Sequence, residues 1–130
     1  MAVQTILLVD DDAKILAPLQ VLLEAEGYRV LLASDGEAGI RLTGREHPDL
    51  IVTDWMMPVL DGIALCRRLK SDKFTACIPV VLLTAAEPPL LSEALWNTLL
   101  RKPTPVGRLV DVIRDLLAHS RKRKPSAPGN

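Results

Sequence analysis

The sequence predicts an α/β fold: a single doubly wound sheet of five parallel strands with helices on both faces. Three observations predict it. Short apolar runs alternate with stretches of helical periodicity along the whole chain, the pattern of a parallel sheet with right-handed crossovers. The run Leu50 to Val52 is continuously apolar, as a strand covered on both faces requires. Four of the five runs end in a polar group, at Asp10, Asp54, Thr84 and Lys102. A parallel sheet gathers those four on its carboxyl edge, where ligands collect in open α/β folds.

Each element has its own signal. Thr5 to Asp10 reads as a first buried strand. Ala13 to Glu26 is helical, with Ile15, Leu16, Leu19, Leu22 and Leu23 on one stripe and Gly27 as the stop. Pro18 removes an amide inside that helix, so a bend or a late start is expected. Tyr28 to Ala33 is the second strand, and Ser34-Asp35-Gly36 opens a second helix to about Glu46. Asp49 to Asp54 is the third strand, and Pro58 with Asp61-Gly62 forces a loop before a helix over Gly62 to Lys70. Ile78 to Thr84 is the fourth strand. A short apolar patch from Leu90 to Trp96 stands where a fourth helix belongs, and Thr98 to Arg101 is a brief fifth strand. Thr104-Pro105 reads as an N-cap with proline at the first helical position. Val106, Leu109, Val110, Ile113, Leu116 and Leu117 then make the clearest amphipathic stripe in the chain.

Composition bounds the class. The 130 residues fit one domain, and 48% apolar content suffices for a core filled by aliphatics, because aromatics are scarce. Residues 1–120 hold 12 Lys/Arg against all 16 Asp/Glu, a net of −4, and Arg121 to Lys124 return +4. The division expected is therefore a domain over 1–120 and a basic, disordered tail over 121–130. That tail is too short for a DNA-binding fold, so no direct nucleic-acid binding is expected. An apolar run of about 18 residues is absent, which argues against a membrane span. Met1 to Ile6 leads straight into a strand, so no signal peptide is expected. Cys66 and Cys77 lack a C-x-x-C spacing and read as two buried thiols in a reduced cytoplasm.

Charge suggests the chemistry. Asp10, Asp11 and Asp54 at one rim repel one another unless a cation sits among them. A hard ion such as Mg²⁺ takes a few carboxylates and leaves room for a phosphoryl oxygen. With the Lys102 ammonium and the Thr84 hydroxyl, such a site suits charge developing on a transferring phosphoryl group, and a free carboxylate can be its acceptor.

On Val9-Asp10-Asp11-Asp12, Thr53-Asp54 through Met57-Pro58 to Asp61-Gly62, Leu83-Thr84-Ala85 and Lys102-Pro103, the chain resembles the receiver domain of bacterial two-component response regulators. The resemblance covers residues 4–119 and implies a flavodoxin-like strand order 2-1-3-4-5. It implies Asp54 as phosphoacceptor, with Thr84 and Lys102 holding the phosphoryl oxygens. It further implies Asp11, Asp54 and the Met56 carbonyl as Mg²⁺ ligands, with Asp10 acting mainly through water, and a cis Lys102–Pro103 peptide. The partner implied is a sensor histidine kinase or a histidine phosphotransfer protein, in the cytoplasm, for a monomer or weak dimer that is a phosphoacceptor and not a conventional enzyme.

Two departures stand out. Leu99 occupies a position usually held by Tyr or Phe, and burial of Leu99 is expected. The interval from Thr84 to Lys102 is short by family standards, and the loss falls on the fourth helix. Two other classes compete. A degenerate receiver that only binds partners would carry the fold without the chemistry. A haloacid-dehalogenase-like phosphatase shares D-x-D and an Asp nucleophile, but Gly-Thr does not follow here.

Overall fold

A computed structural model describes residues 3–87 and 95–123. In chain order the elements are β1 (Thr5–Val9), α1 (Ala13–Ala25), β2 (Arg29–Ala33), α2 (Gly36–Glu46), β3 (Leu50–Asp54), α3 (Gly62–Lys70), β4 (Val80–Thr84), β5 (Thr98–Arg101) and α4 (Val106–Arg123). All strands pair in parallel, in the order β2-β1-β3-β4-β5. The order expected from the resemblance is the order found.

Burial explains why the runs read as they do. β1, β3 and β4 lie inside the sheet and are buried at every residue, so polar residues enter them only at their ends. β2 and β5 are edges, and their burial is interrupted. One face of the sheet, with Ile6, Leu8, Val52, Val81 and Leu83, packs against Leu16 and Leu23 of α1 and Leu109, Ile113 and Leu117 of α4. The other, with Leu7, Val9, Ile51 and Val80, packs against Leu65, Cys66 and Leu69 of α3.

The three helices that leave the site edge start alike. Asp12, Asp35 and Asp61 are N-caps whose side chains accept from the amides of Lys14, Ala38 and Ala64 at 2.8–2.9 Å. Each such cap satisfies a helix amide that has no partner within the helix. α1 stops through Gly27, which adopts φ 98°, while the amides of Gly27 and Tyr28 turn back to the carbonyls of Glu24 and Leu23.

Several expectations need correcting. α1 begins at Ala13 and runs through Pro18, so there is no late start. Lys14 and Pro18 are both exposed, so the amide bond that Pro18 cannot make to the Lys14 carbonyl is lost on the outer side of the helix. Leu22 is 40% exposed; α1 is apolar nearly all round, so periodicity did not mark its inner face. Thr104 does not cap α4. Its hydroxyl donates to the Arg101 carbonyl, and the Pro105 carbonyl accepts the first helical bond, from Leu109. α4 runs to Arg123, and residues 124–130 lie outside the described residues. Cys66 is buried as expected, and burial pushes its thiol up to about 12, but Cys77 is exposed. Leu99 is only half-buried. It pairs with Leu82 on the α3 side of the sheet. Of the apolar patch expected over Leu90 to Trp96, residues 90–94 lie outside those described. Leu95 and Trp96 pack against that side of the core. Among the described residues no helix is long and apolar enough to cross a membrane.

Candidate functional site

The three consecutive carboxylates after β1 have three different fates. Asp10 turns inward and is 4% exposed; its Oδ1 accepts from the Asp12 amide at 2.9 Å. Asp11 stays exposed on the rim. Asp12 faces away and caps α1. Asp54, the last residue of β3, is buried beside this group. Carboxylate oxygens of Asp10, Asp11 and Asp54 all lie within 4.8 Å of one another.

Lys102, just beyond β5, reaches back across the sheet edge. Its Nζ is 2.8 Å from Asp54 Oδ1 and 3.6 Å from Asp10 Oδ2. The main chain supports that reach, because the Lys102 amide donates to the Thr84 carbonyl at 2.9 Å. The Lys102–Pro103 peptide is cis. Thr84 is fully buried, and its hydroxyl is engaged within its own turn: it donates to the Ala86 carbonyl at 2.8 Å and accepts from the Ala86 amide at 2.9 Å. Met56 lies on the loop after β3 and is 62% exposed. The structure thus brings Asp10, Asp11, Asp54 and Lys102 together, sets Thr84 one register step from Asp54, and leaves Met56 exposed.

Burial raises the Asp10 carboxyl above its usual range. The Asp12 amide and Lys102 oppose that rise, and the charges of Asp54 and Asp11 add to it. Lys102 is pushed down by burial, yet its contacts with Asp54 and Asp10 outweigh this and leave it raised. Three carboxylates share one ammonium, a donor set of hard oxygens that is short of positive charge. That set fits a small divalent cation such as Mg²⁺.

A pH-dependent stability follows for Asp10. It holds its proton more tightly in the folded chain than in the unfolded one, where its value is 3.8. Stability is therefore lost as pH rises from 3.8 through the higher folded value. Asp10→Asn keeps an acceptor for the Asp12 amide and removes the buried charge. Without Mg²⁺ at pH 7, the variant is expected to melt a few degrees above the parent, with the difference fading below pH 3.8. Added Mg²⁺ should raise the parent more than the variant. Thermal melts across pH decide it; a variant no more stable than the parent at pH 7 contradicts it.

Two groups at the site carry roles that periodicity did not reveal. The Thr53 hydroxyl, fully buried, donates to the Asp54 carbonyl at 2.9 Å. Gly62 lies so close to that carbonyl that a Cβ built on it falls 2.3 Å away. The sequence signal for Thr53 is only its position before the strand-ending Asp; Gly62 shows as a turn signal, without the contact that requires it.

Fold and site together define a doubly wound α/β protein whose strand ends hold carboxylates, an ammonium and a buried hydroxyl in one place. The chain belongs to the response regulator receiver domain family, which it matches over residues 6–114, and with it to two-component phosphorelay signalling. It is 46% identical over 82 residues to the alkaline phosphatase synthesis transcriptional regulatory protein PhoP of Bacillus subtilis (strain 168), covering 63% of this chain and 33% of that one. It is 45% identical over 85 residues to the phosphate regulon transcriptional regulatory protein PhoB of Pseudomonas aeruginosa, covering 65% and 37%. The match therefore spans only 33–37% of the length of these two relatives. Among solved structures, the signal receiver domain of a signal transduction histidine kinase from Syntrophus aciditrophicus superposes with a TM-score of 0.81 at 32% identity, covering 95% of this chain and 96% of that one. The signal receiver domain of an HD domain-containing protein from Pseudomonas fluorescens Pf-5 superposes with a TM-score of 0.84 at 27% identity, covering 94% and 100%.

Proposed function

We propose that this domain accepts a phosphoryl group on Asp54 with the help of Mg²⁺, from a phosphohistidine of a sensor histidine kinase or histidine phosphotransfer protein in the cytoplasm. The observation that carries the reading is the Lys102 ammonium 2.8 Å from Asp54 within a three-carboxylate rim. An Asp54 oxygen forms the new P–O bond while the P–N bond to the donor imidazole breaks. The imidazole keeps that electron pair and takes a proton from solvent. Lys102, already at the acceptor carboxylate, balances charge on the phosphoryl oxygens. Thr84 leaves Ala86 to donate to one of those oxygens, exchanging a bond within its own turn for one to the new group. Asp10, Asp11 and Asp54, with the Met56 carbonyl, are the groups that would hold Mg²⁺. When bound, the ion would neutralise the rim and the incoming phosphoryl group.

The donor needs a place to dock beside the rim. α1 starts there, and its outer side presents Ala17, Pro18, Val21, Leu22 and Ala25, with Val21 66% exposed. This apolar strip supports an approach by a helical partner that carries its histidine toward Asp54. Incubation with acetyl phosphate and Mg²⁺ tests the reading. One alkali-labile phosphoryl group per chain is expected. A chain that binds Mg²⁺ yet never takes the label is instead an interaction module.

Lifetime of the modified state depends on whether a water is placed for attack on the phosphorus. The side chains two residues past Asp54 and two past Thr84 are those of Met56, a thioether on a residue that is 62% exposed, and Ala86, a methyl. Neither orients a water, so slow self-dephosphorylation is expected. Met56→Asn with Ala86→Glu should shorten the phosphoryl half-life by about tenfold or more, as polar groups near an attacking water do. Decay of the label after removal of the donor measures it; an unchanged or longer half-life contradicts it.

A further inference from the structure

The Asp54 carbonyl stands where the β1–β3 ladder has run out. That register ends at Val9 with Thr53, one residue short of Asp54. Backbone groups alternate sides along a strand, and the Trp55 amide points toward β4, donating to the Leu83 carbonyl at 2.9 Å. The Asp54 carbonyl therefore points toward β1. The β1 chain has already turned away there, with the Asp10 amide on the Ala33 carbonyl of β2. A buried carbonyl in that position needs a donor, and the Thr53 hydroxyl supplies it at 2.9 Å.

We infer that the Thr53 hydroxyl is a positioning group for the phosphoacceptor. It fixes the peptide between Asp54 and Trp55, and so sets both the aim of the Asp54 carboxylate and the path of the chain to Met56. The donor is well chosen for the task. Thr53 is completely buried, so its hydroxyl does not exchange this partner for water. Gly62 also lies close against the same carbonyl, with room for no Cβ, leaving the peptide little room to tilt. Given Asp54 as acceptor and the acidic rim as the cation site, on which this inference rests, loss of the hydroxyl loosens ligand and nucleophile together.

Thr53→Val deletes the hydroxyl with little change in shape, and Thr53→Ser keeps it. Three measurements on the whole chain decide the role: Mg²⁺ affinity by calorimetry, the initial rate of labelling by acetyl phosphate at saturating Mg²⁺, and the melting temperature without Mg²⁺. Thr53→Val is expected to weaken Mg²⁺ binding by about tenfold, the usual scale for a group that orients a metal ligand, and to slow labelling. Thr53→Ser should match the parent in both. A purely structural role predicts something else: lower melting temperatures with Mg²⁺ affinity and labelling rate untouched, and that result overturns the inference. Should Thr53→Val not fold, Thr53→Ser against Thr53→Ala makes the same comparison. A parent chain that takes no label sinks the phosphoacceptor reading first, and the Mg²⁺ affinities then judge Thr53 alone.

Discussion

Asp54→Asn is expected to abolish phosphoryl uptake while leaving a folded domain. The amide has no anionic oxygen to form the P–O bond, so the expected loss is complete, and no neighbouring carboxylate takes its place. Asp10 is buried and faces the Lys102 ammonium from 3.6 Å. Asp12 is turned to the Lys14 amide as the cap of α1. Asp12→Asn is accordingly the matched control, because asparagine caps a helix as well as aspartate does, and that variant should label like the parent. Lys102→Ala separates the nucleophile from its electrostatic support. It keeps the carboxylate and removes the ammonium 2.8 Å away, so labelling should slow by about 10²-fold, the scale for one preorganised charge-stabilising donor. Intact-mass measurement after acetyl phosphate treatment reads all three. Labelling of Asp54→Asn at the parental rate would place the acceptor elsewhere.

These contrasts show what the sequence could and could not disclose. The fold was legible because β1, β3 and β4 are buried along their whole length, so their runs are unbroken and end abruptly in Asp10, Asp54 and Thr84. The gathering of the carboxylates followed from topology, since parallel strands present all their carboxyl ends on one edge. Side-chain direction was less accessible. Nothing in Asp10-Asp11-Asp12 states that the first turns in, the second stays on the rim and the third caps a helix. That division depends on where β1 stops and α1 begins. Leu22 was placed inside by the periodicity of a helix that is apolar nearly all round, and Cys77 by residue type; both are open to water. The resting partner of the Thr84 hydroxyl is set by a turn within its own loop. Thr53 carries an ordinary strand residue type, and only the end of the β1–β3 register gives its hydroxyl a task.

Gly62 was legible as a turn signal, but its reason is contact and not conformation. Its φ is not among the positive values, which belong to Gly27 and, among other residues, to His47 and Val59. A Cβ built on Gly62 would lie 2.3 Å from the Asp54 carbonyl oxygen, 2.9 Å from Leu82 Cδ1 and 3.0 Å from Trp55 Cα. Two of these three atoms are backbone at the end of β3 and cannot step aside as a flexible side chain would. The helix is also held there, by the Gly62 amide on the Trp55 carbonyl at 2.8 Å and by the Asp61 cap. Gly62→Ala must therefore shift either α3 or the Asp54–Trp55 peptide. In a free helix, replacing glycine by alanine gains about 1 kcal/mol. Overpacking against backbone costs about 1–3 kcal/mol or more, so the net effect is destabilising, with the melting temperature lowered by several degrees. Labelling should slow as well, since the atom displaced belongs to the acceptor residue itself. Gly44, exposed inside α2 with nothing within 4 Å of an added Cβ, gives the opposite sign: Gly44→Ala should stabilise by up to about 1 kcal/mol and leave labelling unchanged. Melting curves of the two variants beside the parent test the packing of α3 against the acceptor strand. If Gly62→Ala melts at or above the parent with full labelling, that close approach does not hold.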